Sequence, residues 1–263
     1  MISIVIRNKN EADALNTILA ILTDRYLGEY NEIIIIDNAS TDNSRIIASK
    51  YGCKIVTIDD FSYGRATNLG METASSNFVL LLSSHAIPIG KSFFSRAVAL
   101  FNNNKNLAGV RFVNSIDNYK RAIENDFKVL EPLKHGLMTA CSFVNKKVWL
   151  QYKFDEHLTF SEDKEWSERV CKNGFEIEDL DETFFYFVKR DLNSSVSRYK
   201  NETLSGCLLH KNTFPSSFRI VLSFLKKIFV TNTFNYFKII FHDFLILKAK
   251  FEIRKEIKKN LIV

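Results

Sequence analysis

The sequence predicts an α/β fold, in which a mostly parallel sheet with helices on both faces is followed by a C-terminal helical extension. Short apolar runs alternate with segments whose apolar residues recur at helical spacing, which is the pattern of repeated strand and helix units. The C-terminal part carries phenylalanines interleaved with lysines, again at helical spacing. We therefore predict two domains, residues 1–205 and residues 206–263.

The strands and helices follow in order along the chain. Residues 32–37, EIIIID, form a continuous apolar run that is typical of a strand covered on both faces. We predict strands at residues 2–7, 32–37, 53–59, 77–82 and 108–114, and helices at residues 11–26, 38–52, 63–75 and 91–104. We expect a strand and then a helix within residues 140–150, a helix ending at Gly174 and then a strand within residues 161–180, and a loop with a short helix at residues 115–135.

Composition and charge limit the class of protein. With 46% hydrophobic and 25% charged residues, the chain can bury a substantial core. The four cysteines form no Cys-x-x-Cys pair and the opening residues lack a signal-peptide pattern, so we expect reduced structural thiols in a cytoplasmic protein. The net charge of +6 comes from the C-terminal part, where residues from Lys211 onward carry 11 Lys and Arg against 3 Asp and Glu. No nucleic-acid-binding motif accompanies them, so no nucleic-acid partner is expected.

Polar side chains stand at the predicted carboxyl ends of four strands, at Arg7, Asp37, Asp59 and residues 83–85. Ligands of open parallel sheets bind outside these ends, so we expect the four positions to share one crevice. Asp37 precedes a helix start rich in Ser, Thr and Asn. That arrangement fits either an acceptor for a nucleobase or ribose beside an anion-binding helix start, or an ordinary N-cap cluster.

Two further segments have two interpretations each. Residues 154–166 gather five acids around a predicted helix start. A carboxylate there either acts as a general base or is simply favoured by the helix dipole. Arg65 lies at a predicted junction of loop and helix. It is either a planar fork for phosphate oxygens or a solvated surface side chain.

Taken in order, these segments resemble family 2 glycosyltransferases, whose GT-A fold has a Rossmann-like sheet, over about residues 1–190. The matching motifs are the first strand with Asn10-Glu11, then IIIIDNASTD, YGRATNLG, the strand at 77–82 and FDEHLTFSEDKEWSERVCKNGF. The resemblance implies that Asp163 is the catalytic base and that Glu162, Trp166 and Arg169 are acceptor-site or supporting residues. It implies donor binding by Arg7, Asn10, Glu11, Asp37, Asn38, Arg65, Asn68, Ser83, Ser84 and His85, with Arg7 standing where the family commonly has Pro.

Ser83-Ser84-His85 occupies the place of the family's Asp-x-Asp motif, whose carboxylates hold Mg²⁺ or Mn²⁺ against the donor diphosphate. Hydroxyls and one imidazole are a poor substitute for anionic oxygen ligands of a hard divalent ion. The segment resembles a branch of the family with a Ser-x-His sequence at this point. Three roles stay open for His85: a weak ligand of a metal such as Mn²⁺, a hydrogen-bond donor to the diphosphate in place of a metal, or a structural histidine. The metal cofactor is accordingly left open.

The basic, Phe-rich segment at residues 214–259 also has two interpretations. It contains no uninterrupted apolar run near the length of a membrane-spanning helix. A pair of cationic amphipathic helices lying on an anionic membrane surface is one interpretation. The other is a helical subdomain that packs on the catalytic core or on a second subunit with its charges solvated.

The resemblance implies an inverting glycosyltransferase that moves a sugar from a nucleotide-sugar donor to a hydroxyl of a saccharide or lipid-linked acceptor. It suggests bacterial surface polysaccharide or glycolipid biosynthesis, at the cytoplasmic face of the inner membrane. The absent Asp-x-Asp motif motivates an alternative, a catalytically inactive nucleotide-sugar-binding or scaffold protein. A nucleotidyltransferase is disfavoured, because no Gly-rich loop with Lys or Arg follows the first strand.

Overall fold

The computed structural model describes residues 2–186, 188, 192–210 and 213–260, with residues 255–260 described by backbone alone. The chain divides into two compact units, Met1–Lys211 and Asn212–Val263. The boundary predicted between residues 205 and 206 falls inside a helix, Leu192–His210. Of the predicted second domain, residues 211, 212 and 261–263 lie outside the described residues.

The first unit is built on a seven-stranded sheet with the order β3-β2-β1-β4-β7-β6-β8. Its strands are β1 (Ile2–Asn8), β2 (Glu32–Asp37), β3 (Lys54–Thr57), β4 (Phe78–Ser83), β6 (Leu107–Phe112), β7 (Cys141–Asn145) and β8 (Glu176–Leu180). β7 runs antiparallel to its neighbours β4 and β6, and the other pairings are parallel. A separate antiparallel pair joins β5 (Ala86–Ile89) to β9 (Thr183–Tyr186).

Helices cover both faces of the sheet because side chains alternate along each strand. Ile4 and Ile6 of β1 pack in one core cluster, and Val5 between them packs in the other. The helices of this unit are α1 (Ala12–Arg25), α2 (Ser44–Lys50), α3 (Tyr63–Thr73), α4 (Phe93–Asn103), α5 (Ile116–Glu124), α6 (Pro132–His135), α7 (Lys146–Gln151), α8 (Glu162–Lys172) and α9 (Leu192–His210). Each fully buried Leu, Ile or Phe contributes about 1.5–3 kcal/mol, so the two layers account for most of the driving force. The predicted mostly parallel sheet with helices on both faces is confirmed.

One predicted helix is shorter in the structure, and one observed strand was not predicted. The helix predicted at residues 38–52 is reduced to Ser44–Lys50, because carboxylates hold the preceding turn. Asp37 Oδ2 accepts the backbone N–H of Ser40 at 3.1 Å, and Asp42 Oδ1 accepts that of Ser44 at 3.0 Å. The sequence did not predict β5, which pairs with a strand almost a hundred residues later in the chain.

The second unit consists of helix α10 (Ser217–Lys226), a π-helical segment (Lys227–Asn232) and helix α11 (Thr233–Asn260). The predicted C-terminal helical extension is therefore confirmed. Its large apolar side chains are exposed, with Phe218 76% and Phe229 71% accessible. Within the described part of the chain, no helix combines the length and the apolar character that crossing a bilayer requires.

Candidate active site

A cavity of about 640 Å³ opens in the first unit beyond the carboxyl ends of β1 and β4. The two strand ends are in register, since Arg7 pairs with Ser83. Eight of the sequence-predicted residues line the cavity: Arg7, Glu11, Asn38, Ser83, Ser84, His85, Glu162 and Asp163. The other predicted residues are not in its lining among the described residues: Asn10, Asp37, Asp59, Arg65, Asn68, Trp166 and Arg169.

The first turn of α8 brings the carboxylate of Asp163 into the cavity. Ser161, directly before the helix, has a φ of 64°, and this left-handed conformation turns the chain into the helix. Both carboxylate oxygens of Asp163 are held by backbone donors: Thr139 N–H donates to Oδ2 at 3.2 Å and Lys164 N–H donates to Oδ1 at 2.8 Å. Asp163 is therefore oriented at the cavity wall, as a general base must be.

Glu162 lies beside it and is almost completely buried. Its Oε1 accepts a hydrogen bond from Thr139 Oγ1 at 3.1 Å, and Arg7 Nη1 lies 3.6 Å from the same oxygen. Burial and the neighbouring Asp163 raise the pKa of Glu162 to about 7, although Arg7 opposes the increase. Near neutral pH, Glu162 is therefore partly protonated, which lowers the negative charge next to Asp163.

Arg7 supports Thr139, which contacts both Glu162 and Asp163. Its Nη2 donates to both the carbonyl oxygen and Oγ1 of Thr139 at 3.1 Å, and its Nη1 donates to Thr67 Oγ1 at 3.3 Å. Its guanidinium also lies 5.2 Å from the centre of the Tyr63 ring. Arg7 therefore fixes Thr139, which in turn holds both carboxylates; a direct contact of Arg7 with the donor stays a prediction.

His85 follows β4 and also lines the cavity. Its Nε2 lies 3.3 Å from Oε1 of Glu11, and its backbone N–H donates to Ser83 Oγ at 3.3 Å. Within the described residues, no three His, Cys, Asp or Glu side chains come together as a metal-binding group. One imidazole, one carboxylate and neighbouring hydroxyls do not match the anionic oxygen set that Mg²⁺ or Mn²⁺ prefers. The site therefore does not fit the divalent metal that the fold family implies.

The loop after β1 and the turn after β2 are joined by side-chain contacts. Asn10 has a φ of 51°, and its Oδ1 accepts the backbone N–H of Thr41 at 2.7 Å. Asp37 is completely buried, and its Oδ1 has no hydrogen-bond partner among the described residues. Asn38 donates its backbone N–H to the carbonyl of Asn8 at 2.9 Å. These contacts fix the rim that the resemblance assigns to the nucleotide.

Arg65 and Asn68 on α3 contact the loop at residues 154–156. Arg65 pairs with Asp60 and, at 3.3 Å, with Glu156 Oε2, and these two carboxylates raise its pKa. Asn68 Nδ2 donates to the carbonyl of Phe154 and to Glu156 Oε1, both at 2.9 Å. The structure thus shows both side chains holding a loop in place; their contact with the donor stays a prediction.

Trp166 and Arg169 on α8 hold the segment before that loop. The indole N–H of Trp166 donates to the carbonyl of Tyr152 at 2.5 Å. Arg169 Nη2 donates to the carbonyl of Lys153 at 2.8 Å, and its Nε donates to Glu165 Oε1 at 2.7 Å. These contacts agree with a supporting role for both residues.

Helix α9 forms a wall of the cavity to which the sequence analysis assigned no role. Five of its polar residues face the cavity: Ser194, Ser197, Arg198, Asn201 and Glu202. Their spacing of three or four residues is a polar stripe along one helical face. This polar spacing is the feature of the sequence from which α9 could have been predicted to line the cavity. It was not predicted, because none of the matched family motifs covers this segment.

Comparisons with known proteins agree with this geometry. The family model described as "Glycosyl transferase family 2" matches residues 3–165. The mannosyltransferase PcManGT from Pyrobaculum calidifontis, solved with GDP-Man and Mn²⁺, is 13% identical with a TM-score of 0.63, covering 82% of this chain and 65% of that one. Glucosyl-3-phosphoglycerate synthase from Mycobacterium tuberculosis, solved with Mn²⁺, UDP and its product, is 16% identical with a TM-score of 0.60, covering 82% and 81%. Both support the GT-A fold.

A curated relative is similar over a shorter stretch. The O-antigen chain rhamnosyltransferase WbaN from Salmonella anatum is 39% identical over 83 residues. These residues are 30% of this chain and 26% of the relative, so the match spans about a quarter of that protein.

Proposed function

The chain belongs to glycosyl transferase family 2, and on that premise we propose that it is an inverting glycosyltransferase. It moves a sugar from a nucleotide-sugar donor to a hydroxyl of a saccharide or lipid-linked acceptor. The observation that carries this proposal is Asp163, whose two carboxylate oxygens are held by backbone N–H groups at the wall of the cavity. A base in this position is what activation of an acceptor hydroxyl requires.

In the proposed reaction, Asp163 accepts the proton of the acceptor hydroxyl. The acceptor oxygen forms a bond to the anomeric carbon as the bond from that carbon to the diphosphate oxygen breaks, and the bonding electrons leave with the diphosphate. A single displacement of this kind inverts the anomeric configuration. His85, which also lines the cavity, donates a hydrogen bond to the diphosphate, where positioned donors contribute most to catalysis.

The donor nucleotide is proposed to bind at the rim formed by Glu11 and Asn38, next to the buried Asp37. Glu11 and Asn38 line the cavity, and Asp37 Oδ1 is a buried acceptor without a partner among the described residues. A hydrogen bond from a ribose or base would remove the cost of that unpaired acceptor. The two solved relatives carry GDP-Man and UDP, which supports a nucleotide-sugar donor here.

The test begins with the donor. A thermal-shift screen with UDP-, GDP-, dTDP- and CMP-sugars, each with EDTA and with Mn²⁺, identifies the nucleotide, because a ligand of the folded state raises the melting temperature. We expect binding to persist in EDTA. If chelation abolishes binding, His85 helps to hold a metal and the metal-free site is wrong.

Turnover then tests the base. Asp163→Asn should lower transfer by about a hundredfold or more while donor binding is kept. Glu168→Gln on the same helix is the matched control, since Glu168 is paired with Lys172 away from the cavity. Near-normal turnover of Asp163→Asn would show that the base is another group. The anomeric configuration of the product, read by NMR, tests inversion.

An inactive nucleotide-sugar-binding or scaffold protein is the second candidate. The observation that favours it is the replacement of the Asp-x-Asp carboxylates by Ser83, Ser84 and His85. It predicts that the wild type binds a nucleotide-sugar in the screen but releases no nucleoside diphosphate with any donor and acceptor of the panel. The intact Glu162-Asp163 pair favours the enzyme.

We further propose a place in bacterial surface polysaccharide or glycolipid assembly, at the cytoplasmic face of the inner membrane. The similarity to the O-antigen rhamnosyltransferase supports the pathway. The exposed phenylalanines and the lysines of the second unit support contact with an anionic membrane surface. The predicted contact segment is residues 214–259, of which residues 255–259 are described by their backbone alone.

Vesicle sedimentation tests the membrane contact. The wild type should bind vesicles rich in phosphatidylglycerol and not vesicles of phosphatidylcholine alone. The double variant Lys226→Glu and Lys227→Glu should lose binding, because it reverses two charges in the second unit. The control, Lys105→Glu and Lys120→Glu, makes the same change at exposed positions of the first unit and should bind as the wild type does. Equal binding of both variants would contradict the assignment to the second unit.

A further inference from the structure

The cavity must offset the negative charge of a departing diphosphate, and two of its cations are engaged by neighbouring protein groups. Of the described residues in its lining, Arg7, Lys9, Lys164 and Arg198 carry a positive charge. Arg7 donates to Thr139 and Thr67. Lys164 Nζ donates to two backbone carbonyls, at 2.7 and 2.8 Å. Both cations are therefore committed to the wall that holds Asp163.

Arg198 differs from these two cations because its side chain is more exposed and does not contact the residues around Asp163 in the described contacts. It projects from α9, its side chain is 40% exposed, and its Nη2 lies 2.5 Å from Oε1 of Glu202 one helical turn later. Tyr186 also interacts with this guanidinium. Its partners are thus two side chains that themselves line the cavity, so its guanidinium is oriented at the cavity surface.

The strand pairing connects Arg198 to the segment that replaces the Asp-x-Asp motif. Tyr186 is the last residue of β9 and pairs with Ala86, the first residue of β5. Ala86 directly follows His85 in the sequence. Opposite residues of antiparallel strands are about 5 Å apart at their Cα atoms. Arg198, Tyr186 and residues 83–85 all line the same cavity.

We propose that Arg198 binds the diphosphate of the donor, together with His85, and supplies there the positive charge that a metal supplies in relatives with an Asp-x-Asp motif. This inference rests on the proposed function and adds a diphosphate-binding residue that no family motif contains. A guanidinium is charged at every relevant pH, and its planar fork matches two phosphate oxygens. Glu202 orients the guanidinium before the donor binds and competes with the diphosphate for it.

Binding of nucleotides in EDTA, measured by calorimetry, tests the inference. The probes are UDP, GDP and dTDP, each compared with its monophosphate. Arg198→Gln should weaken binding of the preferred diphosphate by about ten- to a hundredfold, the loss expected for a charge-assisted hydrogen bond, and change monophosphate binding much less. Arg198→Lys, which keeps the charge without the fork, should fall between Arg198→Gln and the wild type.

Two further variants separate binding from structural support. Glu202→Gln should bind the diphosphate as tightly as the wild type or more tightly, because the competing carboxylate is gone; a loss like that of Arg198→Gln would indicate a merely structural pair. Lys200→Gln removes an exposed positive charge from the same helix, outside the cavity lining among the described residues, and should bind as the wild type does.

The outcomes are distinguishable from failure of the proposed function. If the wild type binds a diphosphate and Arg198→Gln binds it equally well, the inference is overturned and the proposed function stands. The inference also fails if Arg198→Gln loses mono- and diphosphate equally, because that pattern indicates general damage to the cavity. If the wild type binds none of the nucleotides or nucleotide-sugars, the donor site itself is wrong and the proposed function falls first.

Discussion

Glu162→Gln tests the electrostatics of the carboxylate pair through the stability of the folded chain. In the wild type, Thr139 Oγ1 donates a hydrogen bond to Glu162 Oε1 at 3.1 Å. Glutamine keeps an oxygen that can accept this hydrogen bond. It removes the only ionisation that this side chain has. Because Glu162 is 4% exposed, its titration is felt in the free energy of unfolding with little screening by solvent.

The magnitude follows from the difference in pKa between the folded and the unfolded chain. Burial and Asp163 raise the pKa of Glu162 from 4.5 to about 7. At about 1.4 kcal/mol for each pH unit, this difference amounts to about 3 kcal/mol. Since the folded chain binds the proton more tightly, the contribution is fully present below pH 4.5 and is lost as the pH rises through about 7.

Urea unfolding followed by tryptophan fluorescence measures the effect, because Trp149 and Trp166 are both buried. Between about pH 4 and pH 8, the free energy of unfolding of the wild type should fall relative to that of Glu162→Gln, by about 3 kcal/mol over the whole range. Glu168→Gln removes a carboxylate from the same helix at a site that is 25% exposed and should follow the wild type.

Parallel curves for the wild type and Glu162→Gln would refute the reasoning. They would mean that Glu162 is ionised at about the same pH in the folded and unfolded chain. In that case Arg7, 3.6 Å away, would offset the burial. A change in the slope against urea concentration would instead indicate an altered unfolded or folded state, and the comparison would then use the thermal midpoint at each pH.

Two other substitutions test the packing around α3. Gly64→Ala should lower the free energy of unfolding by about 1–3 kcal/mol, because the added Cβ would clash with the backbone oxygen of Asp155. The control is Gly206→Ala, whose added Cβ meets nothing within 4 Å. Thermal unfolding of both variants measures the difference. Asn68→Ala should lower the free energy of unfolding by about 3 kcal/mol or more, since it leaves the indole N–H of Trp149 and both backbone groups of Phe154 unpaired. A variant with full stability and weakened donor binding would instead favour a direct contact of Asn68 with the donor.

The fold could be predicted because its evidence is local. Residues 32–37 form an uninterrupted apolar run, and such a run suits a strand with helices on both faces. The predicted helix at residues 11–26 is observed as Ala12–Arg25, because its buried leucines and isoleucine recur at helical spacing. The helix predicted at residues 38–52 was too long, because the carboxylates of Asp37 and Asp42 bind backbone N–H groups that a helix would otherwise have enclosed.

The partners of the site residues could not be predicted, because they are distant in sequence. Arg65 fits a phosphate ligand or a solvated side chain when only its own segment is considered. In the structure it pairs with Glu156, which lies 91 residues further along the chain. Likewise, Arg7 contacts Thr139 across 132 residues. Only the folded sheet reveals that these side chains support the loop and the carboxylate wall.

The segment at residues 83–85 shows why a missing motif is weak evidence against catalysis. A metal site without its two carboxylates loses the metal ligands, so the positive charge that stabilises the diphosphate must come from another residue of the cavity. No residue close to positions 83–85 in the sequence supplies that charge. The proposed candidate is Arg198, more than a hundred residues away, which lines the same cavity as residues 83–85. The loss of a motif in one strand is therefore best judged against the charges that every other wall of the cavity contributes.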